Sequence, residues 1–324
     1  MDTQNKTLTA VAGVRVGHAQ DLEALTGCTV VLLPERCCCG VDVRGGAPGT
    51  RETDLLSPTA MVQHINALCL TGGSAFGLAS ATGVVQWLYE RGVGFDTGVA
   101  RVPIVPAAVI YDLALGSPAH WPDAAMGYAA CEAASDGPVA EGCVGAGTGA
   151  AVGKLLGIGQ ATKGGLGSTA LRLPDGTTVA ALAVTNAFGD VYRDQSATIL
   201  AGARDPNGGF VRVAHQLTTS DDYLAFGRLN TTLGVVITDA LLDKAGCTRL
   251  AQMAQDALAR TIRPIHTPFD GDIVFAAATG TRPAPHLAAL GSAAADALAA
   301  AIERSVLTAT ALGGLPAARD SKLG

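Results

Sequence analysis

The sequence predicts an α+β layered sandwich, and three observations carry the prediction. Short apolar runs of strand length alternate irregularly with segments of helical period, with no strict βαβ repeat and no internal repeat. Two of those runs, Thr169–Leu173 and Thr177–Thr185, flank Pro174-Asp175-Gly176 and read as a hairpin, which a doubly wound parallel sheet does not need. Composition is the third: over 324 residues the chain is 48% apolar and 15% charged, with 41 glycines and 4% aromatics. Ala, Val, Leu and Gly must therefore fill a large core, which suits closely packed layers.

Taken in order, Thr29–Leu33 reads as a buried strand, and so does Ala67–Thr71. The latter runs into Gly72-Gly73-Ser74 and a helix ending near Arg91-Gly92, with Ser74 as N-cap and Phe76, Ala79 and Leu88 on the apolar face. Val102–Tyr111 is strand-like but broken by Pro103 and Pro106, so it is expected at an edge or in a loop. Asp123–Ser135 is helical. After the hairpin, Ile199–Phe226 is polar, with Pro206-Asn207-Gly208-Gly209 and Ser220-Asp221-Asp222, and reads as a long exposed loop leading into Asn230. Leu233–Thr238 is a buried strand. Leu250, Met253, Ala254, Ala257, Leu258 and Ile262 keep helical spacing, with Thr248 as the expected cap. Asp272–Ala277 is a further strand and Leu287–Leu307 a long Ala-rich helix.

Several function classes fall away. The net charge of −6 and the lack of any Lys/Arg run argue against nucleic acid as a partner. No apolar stretch reaches the ~18–20 residues of a membrane span. Met1 to Lys6 lacks the apolar core of a signal peptide, so the cytoplasm is the expected compartment. The eight cysteines form no Cys-x-x-Cys pair and the six histidines no His-x-x-x-His. Cys37, Cys38 and Cys39 are consecutive and cannot all converge on one ion in a strand. The thiols read as small buried hydrophobes, and no metal or other cofactor is expected.

Asn230-Thr231-Thr232 stands between the polar segment and the apolar run Leu233–Ile237. Breaking the 230–231 bond would give Thr231 both a hydroxyl and a free α-amine. That amine, with a reference pKa of ~7.7–8.0, can act as base for its own hydroxyl. The same tripeptide also suits an ordinary strand entry. Gly72-Gly73-Ser74 offers backbone N–H groups to an anion or oxyanion, or makes a tight turn. Gly145-Ala146-Gly147-Thr148-Gly149 resembles part of a dinucleotide fingerprint, but Ala170 and Leu171 stand where its acidic residue belongs. Lys154 closes that run and, if buried, can donate to a carbonyl or orient a nucleophile. Asn186 ends a strand, as an oxyanion donor or a turn cap. Asp270 and Asp272 converge if Gly271 turns the chain, and paired carboxylates can hold an amine or tune a nucleophile. Tyr111 is a phenol donor or core.

Together these motifs resemble the DmpA-type L-aminopeptidase/D-amidase-esterase family, which also holds β-aminopeptidases and the endo-type nylon-oligomer hydrolase. The match runs in order from Gly13-Val14-Arg15-Val16-Gly17-His18 to Thr279-Gly280. It includes Val41–Thr50, Leu70–Gly77, Val105–Asp112, Gly145–Gly149 with Gly153-Lys154, Lys163–Ser168, Asn230–Leu233, and His266-Thr267 with Asp270–Asp272. The resemblance implies a four-layer αββα sandwich of the type shared with ornithine acetyltransferases. It also implies self-cleavage before Thr231, giving an α chain of residues 1–230 and a β chain of 231–324, and closed homo-oligomers such as tetramers. Thr at 231, the Asp-x-Asp pair and Lys154 are similar to the nylon-oligomer branch; many aminopeptidase members carry Ser at the nucleophile. Tyr111 and Asn186 match a substrate-contacting tyrosine and an oxyanion-side amide. The implied activity is hydrolysis of amide or ester bonds in small peptide-like or oligomer substrates through an acyl-enzyme. The rivals are an acyltransferase on the same scaffold and a non-catalytic member of the fold.

Overall fold

The computed structural model describes residues 5–220 and 230–320. Its frame is a nine-stranded mixed sheet among the described residues. In chain order the strands are β1 (Arg15–Asp21), β2 (Thr26–Val43), β3 (Thr50–Arg51), β4 (His64–Thr71), β5 (Ala107–Val109), β6 (Gly165–Arg172), β7 (Thr178–Asn186), β8 (Thr231–Ala240) and β9 (Ile273–Arg282). They lie in the order β6-β7-β8-β9-β2-β4-β5-β3, with β1 on β2. The helices are α1 (Ser74–Gly77), α2 (Ser80–Glu90), α3 (Ala124–Glu132), α4 (Val213–Thr219), α5 (Lys244–Ala254), α6 (Asp256–Thr261) and α7 (Leu287–Leu307).

β2 makes the sheet into a sandwich. Its first part pairs with β1 and β4, its register slips between Leu32 and Cys37, and its last part pairs with β9. The two sheet halves face each other across one core. Strand period decides which side chains meet there. From one half come Leu68, Leu70, Ala108 and Ile110; from the other, Leu182, Val184, Leu233, Val235, Ile273 and Phe275. The alternate residues face outward, and on β7 they are small. Ala181 and Ala183, with Val236 and Val274, pack under α5, α6 and α7. Ala67, Cys69 and Val30 pack under Ala81, Val84, Trp87 and Leu88 of α2 and Ala130 of α3. Helix, sheet, sheet, helix is the four-layer αββα order that the family resemblance implies.

The hairpin forms as expected, with Gly176 at φ +87° and Leu173 N–H on Thr177 O at 2.8 Å. Asp123 caps α3 by accepting from Met126 N–H at 2.9 Å. Other expectations are corrected. Ser74 does not cap a long helix: Gly73 stands at the N-cap of the one-turn α1, and α2 begins afresh at Ser80. Phe76 and Ala79 are exposed, and Phe76 stacks instead on Trp121, centroids 4.5 Å apart. Thr248 is not a cap either. Asp243 accepts from Gly246 N–H at 2.7 Å, while Thr248 lies inside α5 and donates back to Lys244 O. Ala107–Val109 is no edge, for it is buried between β4 and β3. The expected loop Ile199–Phe226 contains a strand, Ile199–Ala201, and α4; its residues 221–226 lie outside the described residues. The eight cysteines are free, and six of them are buried.

Candidate active site

Three strand ends meet at one rim. β7 and β8 are antiparallel, so the last residue of β7, Asn186, lies opposite the first of β8, Thr231. β8 and β9 are parallel, so their N-terminal ends lie side by side, and Asn230 bridges to Asp270 just before β9. Apolar strand interiors fix these ends from below, which is why polar side chains can be held buried at the rim. Thr231, Asn186, Lys154, Asp270 and Asp272 are all buried; Tyr111 is half-buried.

The Asn230 main chain is held at both its oxygen and its nitrogen. Thr231 Oγ1 donates to the Asn230 carbonyl oxygen at 2.5 Å, and Gly271 N–H donates to the same oxygen at 2.7 Å. Asn230 N–H donates to Phe269 O at 3.0 Å. Position 271 has no room for a side chain: a Cβ would stand 2.8 Å from Thr231 Oγ1 and 2.7 Å from Ala47 O.

The two carboxylates flank that glycine and do different work. Asp272 Oδ1 accepts from Thr232 N–H at 2.7 Å, while Oδ2 accepts from His266 N–H at 3.1 Å and meets His266 Nδ1 at 3.0 Å. Asp270 Oδ2 accepts from Thr267 N–H at 2.9 Å and Thr267 Oγ1 at 2.6 Å. Burial, and then the charge of Asp272, raises the Asp270 carboxyl to about 6.

Lys154 Nζ donates to Asn186 O at 2.9 Å and to Asn186 Oδ1 at 2.7 Å. Burial pulls this ammonium down to about 7, against the opposing pull of Asp270 and Asp112. It therefore exchanges a proton near neutrality. Asn186 Oδ1 also accepts from Ala151 N–H at 3.0 Å, and Nδ2 donates to Tyr111 O at 3.0 Å. Tyr111 joins the cluster through its main-chain carbonyl.

The main-chain donors of the Gly72-Gly73-Ser74 turn are bonded within the chain. Gly72 N–H donates to Gly27 O at 2.9 Å, Gly73 N–H to Asp112 Oδ1 at 2.7 Å and Ser74 N–H to Ile110 O at 2.9 Å. All three donors are paired within the chain. The N–H that faces a carbonyl beside Thr231 belongs to Gly271. Asp112, whose Oδ2 accepts from Thr26 Oγ1 at 2.8 Å, clamps the turn; burial raises its carboxyl. The Gly145–Gly149 run is a packing device. Lys163, fully buried, donates to Ala150 O at 2.6 Å, Gly164 O at 2.9 Å and Gly147 O at 3.2 Å. His266, Thr267 and Asp112 stand within the motifs but carry no role in the sequence reading, and Gly271 figures there only as a turn. Among the described residues, no group of three or more His, Cys, Asp or Glu is arranged to hold a metal. No helix there is long and apolar enough to cross a membrane.

A hydroxyl and an N–H on one carbonyl oxygen, with a lysine poised near neutrality, suit acyl chemistry. Fold and comparisons with known proteins together mark a hydrolase of C–N bonds with the N-terminal-nucleophile hydrolase fold. A solved L-aminopeptidase D-Ala-esterase/amidase of Ochrobactrum anthropi, described as a variant of that fold, superposes with a TM-score of 0.71 at 21% identity, over 96% of this chain and 88% of its own. The chain belongs to peptidase family S58, whose match spans residues 6–319. An uncharacterised aminopeptidase of Mycobacterium tuberculosis strain H37Rv is 46% identical over 97% of both chains. A 6-aminohexanoate-oligomer endohydrolase of Agromyces sp. strain KY5R is 34% identical over 82% of this chain and 73% of its own.

Proposed function

We propose that this protein is a self-processing N-terminal-threonine hydrolase that opens amide or ester bonds through an acyl-enzyme. The observation that carries the reading is the convergence of Thr231 Oγ1 and Gly271 N–H on the carbonyl oxygen of Asn230. In the precursor, Thr231 Oγ1 attacks the Asn230 carbonyl carbon. The N→O shift leaves an ester, and water resolves it into residues 1–230 and 231–324. Until the α-amine exists, Lys154 is the group that takes the hydroxyl proton; it rests on Asn186, across the strand pair from Thr231.

After cleavage the Thr231 α-amine becomes the base. Asn186 Nδ2 and Gly271 N–H steady the oxyanion, and one such donor is worth ~2.7–4 kcal/mol of barrier. Asp272 fixes Thr232 N–H and so the setting of Thr231, while Asp270 and Lys154 keep the local charge balanced. Gly72, Gly73 and Ser74 shape the wall through Asp112, and Tyr111 lines the substrate side. The substrates are small peptide-like amides or amino-acid oligomers, in keeping with the relatives named as an aminopeptidase and a 6-aminohexanoate-oligomer endohydrolase. The working form is a closed homo-oligomer, a tetramer of processed protomers, in the cytoplasm.

Intact mass tests the reading. The purified chain is expected as two pieces of about 23 and 9 kDa, at ~0.1 kDa per residue. Thr231→Ala gives one piece and no hydrolysis; normal processing of that variant refutes the nucleophile assignment.

A further inference from the structure

Self-cleavage and substrate turnover pass through the same chemical species. In each, an acyl group is esterified to Thr231 Oγ1 and then released by water. The first acyl group this site handles is residue 230. The main-chain groups that hold Asn230 are therefore those that meet the acyl unit of a later substrate.

Among the described residues two main-chain groups do so, and they flank one residue. Phe269 O accepts from Asn230 N–H at 3.0 Å, and Gly271 N–H donates to Asn230 O at 2.7 Å. This is a parallel β-bridge centred on Asp270. The bridge is rigidly built from the far side. Thr267 holds the Asp270 carboxylate by two hydrogen bonds, His266 holds that of Asp272 by two more, and Ala47 N–H and Arg44 N–H tie down Asp270 O and Asp272 O at 2.8 and 3.0 Å. When residue 230 withdraws, one acceptor and one donor face the nucleophile.

We propose that Phe269 C=O and Gly271 N–H form a main-chain subsite that a substrate's acyl residue occupies as Asn230 does; the inference rests on Thr231 being the nucleophile. The spacing sets the substrate class. The bridge engages both groups at once only when a donor N–H and the reacting C=O flank a single carbon. An α-amino acyl unit meets that condition. In a 6-aminohexanoyl unit five carbons intervene, and the amine reaches Phe269 O only if the chain folds back on itself. The chemistry balances as ordinary acyl transfer: Oγ1 bonds to the acyl carbon and its proton passes through the α-amine to the leaving nitrogen as the C–N bond breaks. Water then adds to the ester carbon and Oγ1 regains a proton.

The test uses processed protein and four p-nitroanilides: alanyl, 2-hydroxypropanoyl, 2-methoxypropanoyl and 6-aminohexanoyl. The hydroxy and methoxy pair differ in one donor and carry no charge. The expected kcat/KM is at least tenfold higher for hydroxy than for methoxy, and at least tenfold higher for alanyl than for 6-aminohexanoyl. Equal rates within either pair overturn the subsite. Intact mass on the same preparation reports the nucleophile reading separately. An unprocessed chain sinks that reading, whereas a processed enzyme that cleaves all four anilides alike sinks the subsite alone.

Discussion

Asn186 stands directly opposite Thr231, the last residue of β7 against the first of β8. Its amide oxygen takes Ala151 N–H and Lys154 Nζ together, and its amide nitrogen gives to Tyr111 O. Asn186→Ala should therefore act twice. If its amide is the proposed oxyanion donor, processing should slow at least about a hundredfold, from ~2.7–4 kcal/mol of barrier. Loss of the shared acceptor costs about 1–3 kcal/mol of stability. A time course of intact mass reads the first, and urea unfolding in a Thr231→Ala background reads the second. Processing at the parent rate would remove Asn186 from the chemistry.

Lys154 gives a pH signature with a definite sign. Unfolded, it keeps its proton up to its ordinary 10.5; folded, it loses it near 7. Between those values the unfolded chain binds the extra proton, so raising the pH favours the folded state. Below about 7 the penalty of holding a buried ammonium is complete. Lys154→Met removes this contribution. The stability of parent minus variant, from urea midpoints at pH 7, 8 and 9, should climb steadily. Lys163, held down to about 8 by burial, is common to both proteins and cancels. Parallel profiles would contradict the assignment.

Asp272→Asn is close in size but opposite in hydrogen-bond sense. Asp272 accepts from Thr232 N–H and from His266 N–H, one on each oxygen. The amide must turn an NH₂ group toward one of those donors. We expect about 1–3 kcal/mol of destabilisation in the Thr231→Ala background. In the otherwise parent chain, slower self-cleavage should follow, because Thr232 sets the position of its neighbour. An unchanged midpoint and rate would show that the charge is dispensable.

Lys163 tests whether the glycine-rich run is structural. Its Nζ bridges three carbonyls, those of Gly147, Ala150 and Gly164. Lys163→Met takes one donor from each: Ala150 O keeps Gly164 N–H at 2.9 Å and Gly147 O keeps Ala150 N–H at 3.3 Å, while Gly164 O loses its charged donor, at ~1–3 kcal/mol for such a buried group. The variant should lose about 2 kcal/mol or more of stability by urea unfolding. Whatever fraction folds should still process at Thr231. A stable variant that fails to process would instead put Lys163 in the chemistry.

Much of the site is legible because its side chains stand where apolar runs end. Asn186 closes Val179–Thr185, Thr231 opens Leu233–Thr238, and Asp270 and Asp272 precede Ile273. A polar residue at a strand mouth is a visible break in pattern. Main-chain groups carry no such mark, so the Gly271 N–H and Phe269 C=O that hold Asn230 cannot be read from sequence. Caps fail for a related reason. Ser74 and Thr248 have the right side chains, but tertiary packing splits one helix after Gly77 and starts the other five residues early, at Asp243. The polar stretch after Ile199 hides α4 because seven residues of mixed composition give too little period to see.

The proposed break at Thr231 would open a strand that is gripped on both flanks, by β7 on one side and β9 on the other. Parting the backbone there would free no element of the frame. To separate the pieces, the β8–β9 pair would have to be drawn out from between β7 and β2, together with the α5–α7 layer that covers it. A severed chain of this design should unfold and refold as a partnership of two polypeptides, so its return from denaturant would slow on dilution while its native form would not loosen.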